Sequence, residues 1–177
     1  LFIPFHLPVL SQEEIARMCN ISFNARVAEI LNLLFGTHLT GYDVDLAVGK
    51  RSVRLHQLGQ RLFAAECWHN TQWDFSGMVS SLYLLISSGK NDPIQTGGWL
   101  EIGIRMAILF GIFGELNREG LVSAGKPADL SMISGNFSGP MAVWFTRGMG
   151  LPIGNIVCCC NENSALWDFI CHGQLRT

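Results

Sequence analysis

Ala128-Asp129-Leu130-Ser131-Met132-Ile133, then Ser134-Gly135-Asn136-Phe137-Ser138-Gly139, then Pro140 to Met149 reads as strand, glycine-bearing turn and helix in direct succession. Proline suits the first turn of a helix, where its missing amide costs no hydrogen bond. Asn155 to Cys160 reads as a further strand, and Asn163 or Ser164 is placed to cap a last helix that ends at Gly173. Strands alternating with helices predict an α/β fold with a parallel sheet covered by helices on both faces.

The same order appears upstream. Ser11-Gln12-Glu13-Glu14 fits a capping box and predicts a short helix. From Ser22, Val27, Ile30, Leu31, Leu34 and Phe35 fall at helical spacing, and Gly36 is placed to stop the run. Arg61 to Trp68 is apolar and strand-like, a polar turn follows around His69-Asn70-Thr71-Gln72, and Ser76 to Ser88 returns to helical spacing before Gly89. A longer helix is predicted from Trp99 to Leu116, with Glu101 and Arg105 four residues apart on one face. Lys90-Asn91-Asp92-Pro93 is the best boundary, dividing the chain into segments 1–90 and 91–177.

Composition excludes several classes. The 177 residues are 49% apolar, enough for a buried core. A net charge of -2 from 12 basic and 14 acidic side chains gives no field for nucleic acid or an anionic membrane. The uninterrupted apolar run from Met106 to Gly114 is far short of the ~20 residues that span a bilayer. Leu1 to Pro8 shows no signal-peptide pattern. Six cysteines without a CxxC pair, three of them consecutive at Cys158, Cys159 and Cys160, are expected to be buried and reduced rather than disulfide-bonded or metal-bound, which points to a cytoplasmic compartment.

The turn itself has a chemistry. Where a strand ends and a helix begins, successive amides and the helix dipole hold phosphate, and glycine lets the backbone approach it. Alone, such a turn is more often an ordinary connection, and it is not the GxGxxG of dinucleotide binders.

The longer string is more specific. Ser134-Gly135-Asn136-Phe137, then Met149-Gly150-Leu151-Pro152-Ile153, then Asn161-Glu162-Asn163 resembles the threonine synthases, whose pattern is S-G-N-F-G, a helix, M-G-L-P-I, a strand, and T-N-E-N. Leu1-Phe2-Ile3-Pro4 is similar to the family's G-L-F-x-P opening. Glu66-Cys67-Trp68-His69 followed by Phe75 is similar to its E-L-F-H-G-P-T-x-A-F-K-D segment, and Trp99 with its helix to N-W-x-R-I-L-x-Q. The resemblance implies part of the large domain of the tryptophan synthase β subunit fold, with pyridoxal phosphate as cofactor and Gly135, Asn136, Phe137, Ser138 and Gly139 around its phosphate. It also implies an ancestral reaction converting O-phosphohomoserine, or a similar small molecule, to threonine and phosphate.

Departures from the pattern limit that inheritance. Ser138 stands where the family has glycine, and Gly139 where it has aspartate or asparagine. The lysine that links the family's cofactor covalently aligns with Ser76, which has no amine, so no catalytic residue is assigned and covalent attachment is not expected. The family's asparagine and arginine in the later helix align with Gly98 and Glu101. Lys50, Lys90 and Lys126 each follow a glycine and read as solvated. Between Lys90 and Asn91 the family's small domain, with its S-G-D-T-G loop, has no counterpart. The expectation is a threonine-synthase-like chain that is inactive or impaired, unless it works within a larger assembly. The deletions should expose the apolar side of the Trp99 helix, so self-association or an unidentified protein partner is expected. His69, Asp74 and Glu66 form no acid–base set that sequence supports.

Overall fold

The computed structural model describes residues 6–50, 53–66, 75–87, 98–133, 137–160 and 165–173, for Leu166 the backbone alone. Its elements in chain order are α1 (Gln12–Cys19), α2 (Phe23–Phe35), α3 (Gly41–Val48), β1 (Arg54–Gly59), β2 (Leu62–Glu66), α4 (Phe75–Ser87), α5 (Trp99–Arg118), β3 (Ala128–Ile133), α6 (Ser138–Gly148), β4 (Ile153–Cys159) and α7 (Ala165–His172). The division at 90/91 lies outside the described residues.

Local chemistry sets the first helices. The Ser11 hydroxyl accepts from the Glu14 amide at 3.2 Å while the Glu14 carboxylate accepts from the Ser11 amide at 2.7 Å, which closes the expected capping box. Ser22 caps α2, and Gly36 ends it in the left-handed region at φ 65°. A second box, Thr40 with Asp43, starts α3, a helix the sequence reading passes over. That reading also passes over β1, which pairs antiparallel with β2 as a hairpin of its own.

Helix α5 is the centre of the molecule. It packs against α1, α2, α4 and α6, and Ile104, Met106, Ala107 and Ile108 are wholly buried along it. The expectation of an uncovered apolar side on this helix is therefore wrong. Gly103 and Gly111 explain the closeness: a Cβ at either would collide with the rings of Phe35 and Phe23, so α2 settles against the α5 backbone itself. Trp99 at its start meets Phe145 of α6 edge to face, centroids 5.6 Å apart.

Strands β3 and β4 are parallel neighbours joined through α6, with Met132 opposite Cys158 and Ile133 opposite Cys159. Leu130, Met132 and Ile156 turn toward the core. Asp129, Ser131, Ile133, Asn155, Val157 and Cys159 are exposed on the other side. Among the described residues this sheet is thus covered on one face, where two were expected, and part of the open apolar surface lies here: Ile133 is 90% exposed and Val157 51%, with further exposed apolar side chains on α3, the β1–β2 hairpin and α7. Among the described residues no helix is long and apolar enough to cross a membrane.

Candidate phosphate turn and its surroundings

Strand β3 ends at Ile133 as read, and α6 begins at Ser138, two residues before the expected start at Pro140. Gly135 and Asn136 lie outside the described residues. Phe137 is the N-cap of α6, and its ring meets Phe169 of α7 edge to face at 5.4 Å. Ser138 is the first residue of α6 and only 5% exposed. Gly139 follows in the first turn, facing Met132 of β3, whose Cε would lie 3.6 Å from an added Cβ.

No side chain of the N-cap satisfies the first-turn amides of α6, because the cap is a phenylalanine. The end of β3 leads into the turn and β4 runs parallel to β3, so both strands point their C-terminal ends toward this side. In open α/β sheets that is the side where ligands bind, and a helix start there favours an anion.

Ser76 occupies a different helix. It is exposed in the first turn of α4, beside Phe75, whose ring carries the Arg105 guanidinium 5.1 Å above its centroid. Arg105 in turn donates from Nη2 and Nε to Glu101 Oε1 at 2.7 and 3.0 Å. The pair expected from the i, i+4 spacing therefore forms, and it is largely shielded rather than a surface bridge. It offsets the charge of Glu101, the residue standing where the resembled family has arginine. Helices α4 and α6 both pack against α5, which is how the fold relates Ser76 to the turn.

The other candidates scatter. Lys50 and Lys126 are exposed, on the α3 exit and in a short bridge region, while Lys90, His69 and Asp74 lie outside the described residues. The Glu66 carboxylate at the end of β2 accepts from His56 Nε2 at 2.7 Å, a pairing brought about by the hairpin that no single-sequence spacing reveals. Among the described residues no three His, Cys, Asp or Glu side chains gather as a metal site. The cysteine expectation needs correction among the described residues: Cys19 is buried, but Cys158 is half-buried and Cys159 and Cys160 exposed at the end of β4, and Cys171 is exposed on α7; Cys67 lies outside the described residues.

The fold has a solved counterpart. Threonine synthase from Escherichia coli superposes with a TM-score of 0.74 over 99% of this chain and 61% of that one, at 15% identity, so this likeness is one of fold. The architecture is that of the threonine synthase α/β fold.

Sequence adds a second likeness. The chain is 30% identical over 101 residues to threonine synthase-like 1 of Homo sapiens, and equally to that of Mus musculus; the match covers 57% of this chain and 13% of those relatives. No protein-family model matches the chain. The chain is thus similar to threonine synthase-like 1 in sequence over part of its length and to a threonine synthase in fold over nearly all of it.

Proposed function

We propose that this chain is a threonine-synthase-like module that keeps the phosphate-holding half of a pyridoxal phosphate site and lacks the half that does the chemistry. The observation that carries this reading is Ser76: at the position of the family's cofactor-linking lysine stands an exposed hydroxyl on the first turn of α4. A hydroxyl offers no amine to the cofactor's aldehyde.

The phosphate end fits better. The first turn of α6, uncapped by any N-cap side chain and begun by buried Ser138, suits an anion. Phe137, Ser138 and Gly139, with Gly135 and Asn136 before them, are the residues that would hold it. When bound in such a fold, the cofactor supplies an electron sink for bond cleavage next to an amine. This chain's own contribution is to bind and orient the phosphate through backbone amides. Conversion of O-phosphohomoserine to threonine is not expected of it, and binding of the cofactor is expected to be weak and non-covalent. The reading is tested by phosphate release from O-phosphohomoserine with and without added cofactor: release above a heat-treated control would overturn it.

A second reading, that the chain acts by associating with another copy or a protein partner in a cytoplasmic setting, is favoured by the open apolar face of Ile133 and Val157. Sedimentation at several concentrations tests it. A concentration-independent monomer would count against self-association.

A further inference from the structure

Strand β4 ends in three consecutive thiols, and the fold separates their environments. Cys158 is half-buried, opposite Met132 in the ladder, and burial first, then the nearby thiols of Cys160 and Cys159, push its thiol toward the protonated form. Cys159 is exposed on the outer face, its Sγ 3.9 Å from the Ser131 hydroxyl. It forms the last rung, opposite Ile133. Cys160 is exposed just beyond that rung, its thiol 3.9 Å from the Cys158 carbonyl oxygen, so its backbone is outside the strand pairing.

We propose that Cys159 and Cys160 form a reversible dithiol–disulfide couple that takes low-molecular-weight disulfides, of the glutathione disulfide class, as oxidant. The Cys159 thiolate attacks one sulfur of the oxidant, the oxidant's S–S bond breaks, and one glutathione thiolate leaves. The Cys160 thiolate then attacks the Cys159 sulfur of the mixed disulfide and displaces the second glutathione thiolate. Two protein thiols are oxidised, one disulfide is reduced, and the two thiol protons end on the two released glutathiones.

Geometry tells against Cys158 with Cys159 and leaves Cys160 as the partner of exposed Cys159. Cys158 and Cys159 point to opposite faces while held in the ladder. Only the peptide between Cys159 and Cys160 has one end free of it. Adjacent Cα atoms lie about 3.8 Å apart, below the usual separation in disulfides, so the ring is strained and easily reduced. Strain of that kind suits a labile, reversible bond rather than a structural one. This inference does not depend on cofactor binding at the phosphate turn.

The test uses the full chain, reduced and then incubated with glutathione disulfide, alkylated, and mapped by chymotryptic peptides, which separate Cys171 from the three thiols. In the unmodified chain the expected peptide has lost two hydrogens, carries no glutathione, and is alkylated only at Cys158. The Cys158→Ser chain should form the same link, and Cys160→Ser should retain glutathione on Cys159. Excess reduced glutathione should reverse the bond. Stable glutathione on Cys159 of the unmodified chain, a link from Cys158 to Cys160, a link between chains, or thiols left unreacted would each overturn the proposal.

Discussion

Arg26 of α2 is closed on Glu115 of α5 as a buried ion pair, its guanidinium also donating from Nη1 to the carbonyl oxygens of Met18, Cys19 and Ile21. The arginine is 1% exposed. It therefore ties the end of α1 and the α1–α2 turn to the central helix. Burial pulls its pKa down, and Glu115 opposes that pull.

Removing the cation while leaving its partners should be costly. Breaking one side of a buried pair typically costs about 3 to 5 kcal/mol, and here Glu115 keeps its contact with Arg118 at 3.1 Å while the Met18, Cys19 and Ile21 carbonyl groups lose the guanidinium. Arg26→Leu is expected to lower the urea midpoint accordingly. Gly114→Ala should act in the same direction, because its Cβ would strike the Arg26 guanidinium. Denaturant midpoints within error of the parent chain for both variants would contradict this.

Gly150 makes a sharper demand. It has φ 104°, and an added Cβ would lie 2.5 Å from the Leu10 carbonyl oxygen, which belongs to the backbone and cannot swing aside. Leu10 is held there by its amide donating to the Met149 carbonyl at 2.8 Å. Gly150→Ala should destabilise by more than about 1 kcal/mol, combining left-handed strain with the clash. Thermal unfolding checks it, and Gly173→Ala serves as comparison, being left-handed too but with nothing among the described residues within 4 Å of an added Cβ.

Acid should loosen the β3–β4 pair. Asp129 Oδ1 accepts from the Asn155 amide at 2.8 Å and from its side chain at 3.2 Å, and these bonds hold the carboxyl below its ordinary value. A depressed carboxylate contributes stability that is complete above its unfolded value and is lost as pH falls through the folded one. The loss should begin below about pH 4, shared with Glu14 and Asp43, which their caps depress likewise. Asp129→Asn should flatten part of that acid limb in pH-dependent unfolding. An unchanged limb would remove Asp129 from the account.

Much of this fold is legible in the sequence where the signal is local. Ser11 with Glu14 and Ser22 with Gly36 carry their own caps or breakers and are placed as read, while near Phe137 the strand Ala128–Ile133 is placed as read and the helix starts at Ser138, two residues before Pro140. Helix α3 escaped because its box uses Asp43 instead of glutamate and its run is short. Strand β1 escaped because five of its six residues are exposed, so no burial pattern marks it. The central role of α5 was misjudged for a different reason: apolar residues all round a helix say that it is covered, but not by what. The cover comes from α2, through contacts at Gly103 and Gly111 that join residues far apart in the chain. At the site, the strand before the turn and the helix after it were readable, whereas the exposure of Ser76 and the stacking of Arg105 on Phe75 are tertiary facts.

Ser76 permits a clean test of how much of the cofactor site remains. Because the residue is exposed on the first turn of α4, a lysine there requires no repacking and should change stability by no more than about 0.5 kcal/mol. The proposed phosphate turn leads into α6, a separate helix, so Ser76→Lys should leave any binding of inorganic phosphate unchanged. What it adds is an amine. In the unmodified chain, borohydride treatment after addition of pyridoxal phosphate should label no lysine, including Lys50 and Lys126, which are exposed. In Ser76→Lys it should fix the cofactor to residue 76, as read by peptide mass mapping. Replacing Gly135 with a bulky residue in that background should abolish the labelling by denying the phosphate its seat, even though the amine remains. Labelling of Lys50, Lys90 or Lys126 in the unmodified chain, or labelling of residue 76 that survives the Gly135 substitution, would mean that the turn at Phe137 and Ser138 does not hold the cofactor.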